Sequence, residues 1–223
     1  MPDPNRQYWN QQFKILQDTW PKPVEFEECI EICLNLHGMV HSRKVMQTCP
    51  WSFEDELWEG MTEEAFRKVH PGDQFIAWKL WHSSRIEDIT MNVLIDDKQQ
   101  IFSTDDWYAK LQVKAKDTGN AMDEEEIRLL SNCIDISALR DYRNEVGIET
   151  RSVIKSLSPL DLKHKIEPSR INRLLEEGAV VQEAAGLLEY WGKKTYSGLL
   201  LMPATRHNLV HLNESNRLLE KTK

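Results

Sequence analysis

Residues 74–95 read Gln74-Phe-Ile-Ala-Trp78-Lys-Leu-Trp81-His82-Ser-Ser-Arg85-Ile86-Glu87-Asp88-Ile89-Thr-Met-Asn-Val93-Leu-Ile95. Phe75, Trp78, His82, Ile86, Ile89 and Val93 recur every three or four residues, the spacing that lines side chains along one face of an α-helix. The stretch therefore reads as a long helix with His82 on its inward face. An imidazole in that position has two ordinary fates, a hydrogen bond to a core neighbour or a bond to a metal ion.

Working outward, the rest of the chain is also helical in pattern, with few runs of alternating β-branched residues. Upstream, Pro71-Gly72 breaks the chain and Asp73 can cap the long helix. Ser52 reads as the N-cap of a shorter helix, with Glu54 and Asp55 in its first turn and Leu57 and Trp58 as its apolar side. A first long helix covers about Glu25 to Val45, with Ile30, Leu34, Val40 and Val45 apolar and Cys49-Pro50 stopping it. Downstream, Asp96 to Ile136 is a long connection, with a turn signal at Asp117-Thr118-Gly119-Asn120 and an acidic helix start at Asp123 to Glu126.

The third long helix is expected from Ser137, as N-cap, to about Leu157, where Ser158-Pro159 ends it and starts a short one. Pro168 to Gly178 makes another short helix. The last long helix covers about Thr195 to Leu219, with Pro203 bending it one turn before His207. Antiparallel neighbours do not need a connection of about forty residues, so the stretch after the second helix can cross over and bring the third in parallel. The expected fold class is all-α: a four-helix bundle with a long crossover between the second and third helices plus short accessory helices. It forms one domain over residues 1–223, with 1–24 as an N-terminal extension.

The chain has 223 residues, 40% of them apolar, and 28 Lys plus Arg against 36 Asp plus Glu for a net charge of −8. That balance, with its basic residues scattered, argues against a nucleic-acid partner. No apolar run nears the roughly 20 residues that cross a bilayer; Leu199 to Met202 is closed by Pro203. With no apolar leader at the N-terminus, no membrane association and a cytoplasmic location are expected. Cys29, Cys33, Cys49 and Cys133 lack the spacing of a redox or zinc-knuckle site and read as packing thiols. Trp51, Trp58, Trp78 and Trp81 crowd one stretch, as in a core or a pocket wall.

The chemistry lies in the histidines. His207 and His211 are four apart within the stripe Leu200, Ala204, His207, His211, Glu214, Leu218, so both imidazoles leave one helix face, about 6 Å apart at Cβ. Two Nε2 atoms at that spacing can converge on one transition-metal ion, and His82 offers a third nitrogen from another helix. Three such ligands leave coordination positions open for water or substrate, the catalytic arrangement. His37 and His41 share the spacing but are flanked by Gly38 and Ser42 and lead into Arg43-Lys44; they read as pocket-lining at best. His70 and His164 read as solvated. H-E-x-x-H, Glu-x-x-His pairs, G-x-S-x-G, the P-loop and G-x-G-x-x-G are absent.

Trp78-Lys-Leu-Trp81-His82-Ser-Ser-Arg85-Ile-Glu87-Asp88, followed by Leu199-Leu-Leu-Met-Pro203-Ala-Thr-Arg206-His207-Asn-Leu-Val-His211-Leu-Asn-Glu214, resembles the DinB-like (YfiT-like) superfamily of metal-dependent enzymes over roughly residues 25–220. The resemblance implies a four-helix bundle, often a homodimer, holding nickel or zinc through His82, His207 and His211. It also implies activation of a low-molecular-weight thiol, such as bacillithiol or mycothiol, for S-transfer to or isomerisation of a small-molecule substrate. Glu87 and Glu214, each about a turn beyond a ligand, are candidates to orient ligands or move protons. Arg85 and Arg206 are candidates to hold carboxylates of a thiol cofactor. Two other functions fit the same residues: a metal-dependent hydrolase in which water is the nucleophile, and a non-catalytic metal-binding stress-response bundle.

Overall fold

In the computed structural model, which describes residues 3–20, 25–69 and 75–221, regular structure is helical apart from one isolated antiparallel bridge, Lys165 to Thr195. His70, the Pro71-Gly72 break, the Asp73 cap and Gln74 lie outside the described residues. In chain order the α-helices are α1 (Pro4–Thr19), α2 (Phe26–Met39), α3 (Phe53–Glu59), α4 (Glu63–Arg67), α5 (Ile76–Asp88), α6 (Trp107–Leu111), α7 (Glu124–Cys133), α8 (Ile136–Ser156), α9 (Pro168–Glu176), α10 (Gly186–Gly192), α11 (Tyr196–Leu201) and α12 (Asn208–Glu220). α5 runs on as a π-helical stretch over Ile89–Ile95, and a second π-helical stretch, Met202–His207, joins α11 to α12.

Local chemistry sets most boundaries. Asp3 accepts hydrogen bonds from Asn5 N and Arg6 N to open α1, Ser52 and Thr62 cap α3 and α4, and Asp123 with Glu126 forms a complete capping box on α7. Both π-helical stretches carry a threonine that bonds back to the helix ladder. Thr90 Oγ1 donates to the Ile86 and Glu87 carbonyls, and Thr205 Oγ1 to those of Leu200 and Leu201. Such back-bonding competes with the regular α-ladder and accompanies helix distortion.

Two boundaries correct the sequence reading. The first long helix ends at Met39 rather than near Val45, because Ser42 Oγ accepts from Lys44 N and donates to Asn144 Oδ1 on α8, a local turn that replaces the helical ladder. The N-cap of α8 is Asp135, whose carboxylate accepts from Ala138 N at 2.7 Å, and Ser137 falls inside the helix. Around Pro203 the helix widens into the Met202–His207 stretch, where Thr205 takes up the carbonyls of the preceding turn.

α5 is the spine. It packs against α8, α12, α7 and α4; α8 also contacts α2, and α2 contacts the Met202–His207 stretch. Every residue from Lys79 to Ile95 is buried, including Arg85, Glu87 and Asp88. A helix enclosed on all sides must satisfy its polar side chains internally, because an unpaired buried polar group costs about 1–3 kcal/mol. The expected extension before residue 25 forms α1, which packs Trp9, Phe13 and Leu16 into the core, and the Trp9 indole donates to Leu36 O at 3.1 Å. Cys29, Cys33 and Cys49 are buried thiols as expected, whereas Cys133, at the end of α7, is exposed. No helix is long and apolar enough to cross a membrane among the described residues.

Candidate metal centre

α5 supplies His82; the second π-helical stretch and α12 supply His207 and His211. Their ligand atoms all lie within 4.8 Å of one another. His207 Nε2 and His211 Nε2 are 3.1 Å apart, and the ring centroids of His82 lie 5.2 Å from both partners. Two ligands each about 2.1 Å from one ion, at adjacent coordination positions, stand about 3 Å apart, so the nitrogen spacing suits a shared cation. His82 is buried, and His207 and His211 are half-buried, so the outer edge of the cluster reaches solvent.

Neighbours fix the orientations of two of the imidazoles, His82 and His211. His82 Nδ1 lies 2.6 Å from Thr118 O, and a carbonyl oxygen only accepts, so Nδ1 carries the proton and Nε2 keeps its lone pair for a ligand. Trp78 stacks on the same ring with centroids 4.5 Å apart and planes 4° from parallel. The loop carrying Thr118 comes this close because Gly119 has φ +74° and no Cβ; a Cβ there would sit 2.6 Å from Trp81 Cζ3. His211 Nδ1 donates to Glu214 Oε2 at 3.2 Å, and Lys79 Nζ holds the same oxygen at 2.7 Å. That carboxylate–histidine arrangement is the usual second support of a metal ligand.

Burial, with the charge of His211 next, lowers the His82 pKa to about 3. Burial, then His211 and His82, holds His207 well below its usual value. His82 and His207 are thus neutral nitrogen donors near pH 7, the form that binds metal. The hydrogen bond from His211, opposed by burial and aided by Lys79, brings Glu214 down to about 2.

The other candidates are placed differently. Arg85 is enclosed in a network with Asp88, Tyr142, Gln100 and the Lys116 carbonyl, over the Phe102 ring, and presents no free guanidinium to a cofactor carboxylate. Arg206 is exposed and lies over Phe13. Glu87 sits in a second cluster with His37 and His41, both expected only as pocket-lining and both wholly buried. His164 is exposed beside Asp161. A cavity of about 510 Å³ is lined by Gln112, Lys114, Asp117, Met122, Leu130 and Cys133 among others, and none of the three triad histidines lines it.

No family model matches the chain, and no curated protein matches it.

Sequence reasoning missed Thr118 and Asn208, which hold His82 and Glu87, and the burial of His37 and His41. The last was open to detection: His37-x-x-x-His41 has the same spacing as His207-x-x-x-His211.

Proposed function

We propose that this chain is a metal-dependent enzyme of the DinB-like (YfiT-like) kind, binding a divalent transition metal, nickel or zinc, through His82, His207 and His211 and acting as a thiol-dependent S-transferase or isomerase. The observation that carries the reading is the convergence of three imidazole nitrogens from two segments more than a hundred residues apart, at spacings that suit one cation, with His82 held in the tautomer that leaves Nε2 free. The helix contacts support the finer fold. α2, α8, α5 and the segment from Met202 through α12 close a ring of four, and residues 96–135 connect α5 to α8 as the crossover of a four-helix bundle.

Bound at these nitrogens, a divalent ion supplies positive charge that favours a thiolate over a thiol near neutral pH. The chain's own groups hold the site ready for it. Thr118 O keeps the proton of His82 on Nδ1, Glu214 orients His211, and Lys79 fixes Glu214. On this reading a small thiol would approach from the outer edge of the cluster, where His207 and His211 are half-buried. A cytoplasmic homodimer belongs to the same reading.

Adding low-molecular-weight thiols to the cobalt-substituted protein is expected to produce sulfur-to-metal charge-transfer absorption. Absence of the band with every cellular thiol tried, together with turnover of an ester or amide by the same metalloprotein, would replace the transferase by a hydrolase. Absence of both band and turnover would leave a non-catalytic metal-binding bundle.

A further inference from the structure

The second cluster lies deeper. His37 and His41 are one turn apart at the C-terminal end of α2 and just past it, and both face Glu87 of α5. His37 Nε2 lies 2.9 Å from Glu87 Oε1, and His41 Nε2 lies 3.0 Å from Glu87 Oε2. The two rings are 4.3 Å apart at their centroids. Relative exposure is 0% for His37, 1% for His41 and 0% for Glu87, so bulk water satisfies none of them.

Four donor atoms therefore converge in the interior: two imidazole nitrogens and both oxygens of one carboxylate. We propose that His37, His41 and Glu87 form a second, closed metal site for a divalent ion of the zinc class, separate from the three-histidine centre and tying α2 to α5. Imidazole and carboxylate together suit zinc and its first-row neighbours, and the complete burial of all three residues, which leaves no solvent-facing position, fits a structural rather than a catalytic ion.

The surroundings are built as supports for ligands. Asn208 Nδ2 donates to Glu87 Oε2 at 2.6 Å and holds that oxygen in place. His41 Nδ1, on the far side of its ring, faces Glu54 Oε2 at 3.9 Å, and Glu54 is itself clamped by Arg143 through two hydrogen bonds. Gly147 of α8 makes room for the ring, since a Cβ there would stand 2.9 Å from His41 Nδ1.

Charge points the same way. Glu54 has Arg143 as its counter-ion, while the ion-pair partners of Glu87 are His37 and His41 alone among the described residues. An enclosed carboxylate with no Lys or Arg ion-pair partner among the described residues can be completed by a bound cation. Direct hydrogen bonds from the two rings to Glu87 and a shared divalent ion are the two ways to complete the cluster, and they give different ring spectra.

The inference does not rest on the three-histidine reading, and one set of measurements separates them. The 223-residue protein made in zinc-supplemented medium and desalted is expected to hold two zinc ions per chain. His207→Ala is expected to keep one, and Glu87→Gln in that background none. Long-range proton–nitrogen spectra of the histidine rings are expected to show metal-bound Nε2 and protonated Nδ1 at His37 and His41. One ion in the wild type, lost in His207→Ala, overturns the second site and leaves the triad standing. One ion kept in His207→Ala and lost in Glu87→Gln supports the second site and overturns the triad. Should Glu87→Gln fail to fold, the ring spectra of His207→Ala decide: Nε2 of both histidines protonated toward Glu87 overturns the proposal.

Discussion

Replacing Arg143 by alanine is expected to cost about 3–5 kcal/mol of folding stability, the penalty for leaving a charge buried without its partner. Arg143 and Glu54 are buried to within 1%. The guanidinium of α8 makes two hydrogen bonds to Glu54 of α3, at 2.9 and 3.1 Å, and Nη1 donates to Leu80 O, Ser83 Oγ and Ser84 Oγ of α5. Burial alone would raise the Glu54 pKa, but the charge and hydrogen bonds of Arg143 outweigh it and hold the carboxyl below its usual value. Truncation removes that compensation and strands buried acceptors on two helices, a large share of the roughly 5–15 kcal/mol that keeps a domain folded. Urea denaturation followed by circular dichroism reads the loss, and Glu54→Gln in the same background should recover part of it. A loss below about 1 kcal/mol would show that the ion pair is not enclosed as described.

Acid should weaken the metal-free protein well before its carboxylates titrate. His37 and His82 have pKa values lowered to about 4 and about 3, in both cases by burial first and a neighbouring histidine second. Unfolded, each returns to about 6.5. Between those limits the unfolded chain binds more protons than the native one, so stability is full above pH 6.5 and falls as pH drops toward the folded values. At pH 5 each buried neutral ring costs about 2 kcal/mol relative to pH 7.5, or about 4 kcal/mol together. Glu87, also held below its usual value, adds in the same direction only below about pH 4. Urea midpoints measured with a chelator present should decline steadily from pH 7.5 to 5. Equal midpoints would mean that the two rings are not buried in neutral form.

Much of the helical plan was legible because helices announce themselves through period and caps. The 3.6-residue stripe through Phe75, Trp78 and His82, the cap at Ser52, the helix starts at Asp123 and Thr195, and the proline at residue 168 are local signals with local causes. The early end of α2 was hidden because it depends on Ser42 meeting Asn144, a hundred residues away. The widened turns at Ile89–Ile95 and Met202–His207 turn on where a threonine hydroxyl points, which spacing does not disclose.

The three histidines could be picked out because two share a helix face and the third lies on an apolar stripe. The role of Glu87 could not, since amphipathic reasoning assigns one face of a helix to solvent, and α5 has none. Its polar side is covered by α8, α12 and their neighbours, so Arg85, Glu87 and Asp88 enter buried networks whose partners come from four other segments. Long-range burial of this kind is set by topology rather than by local pattern.

The most direct measurement is the metal content of purified protein and of His82→Ala, His207→Ala and His211→Ala, by elemental analysis, with circular dichroism to confirm that each variant stays helical. Each substitution is expected to remove one bound ion per chain from a protein that remains folded. Full retention of metal in all three folded variants would contradict the three-histidine centre.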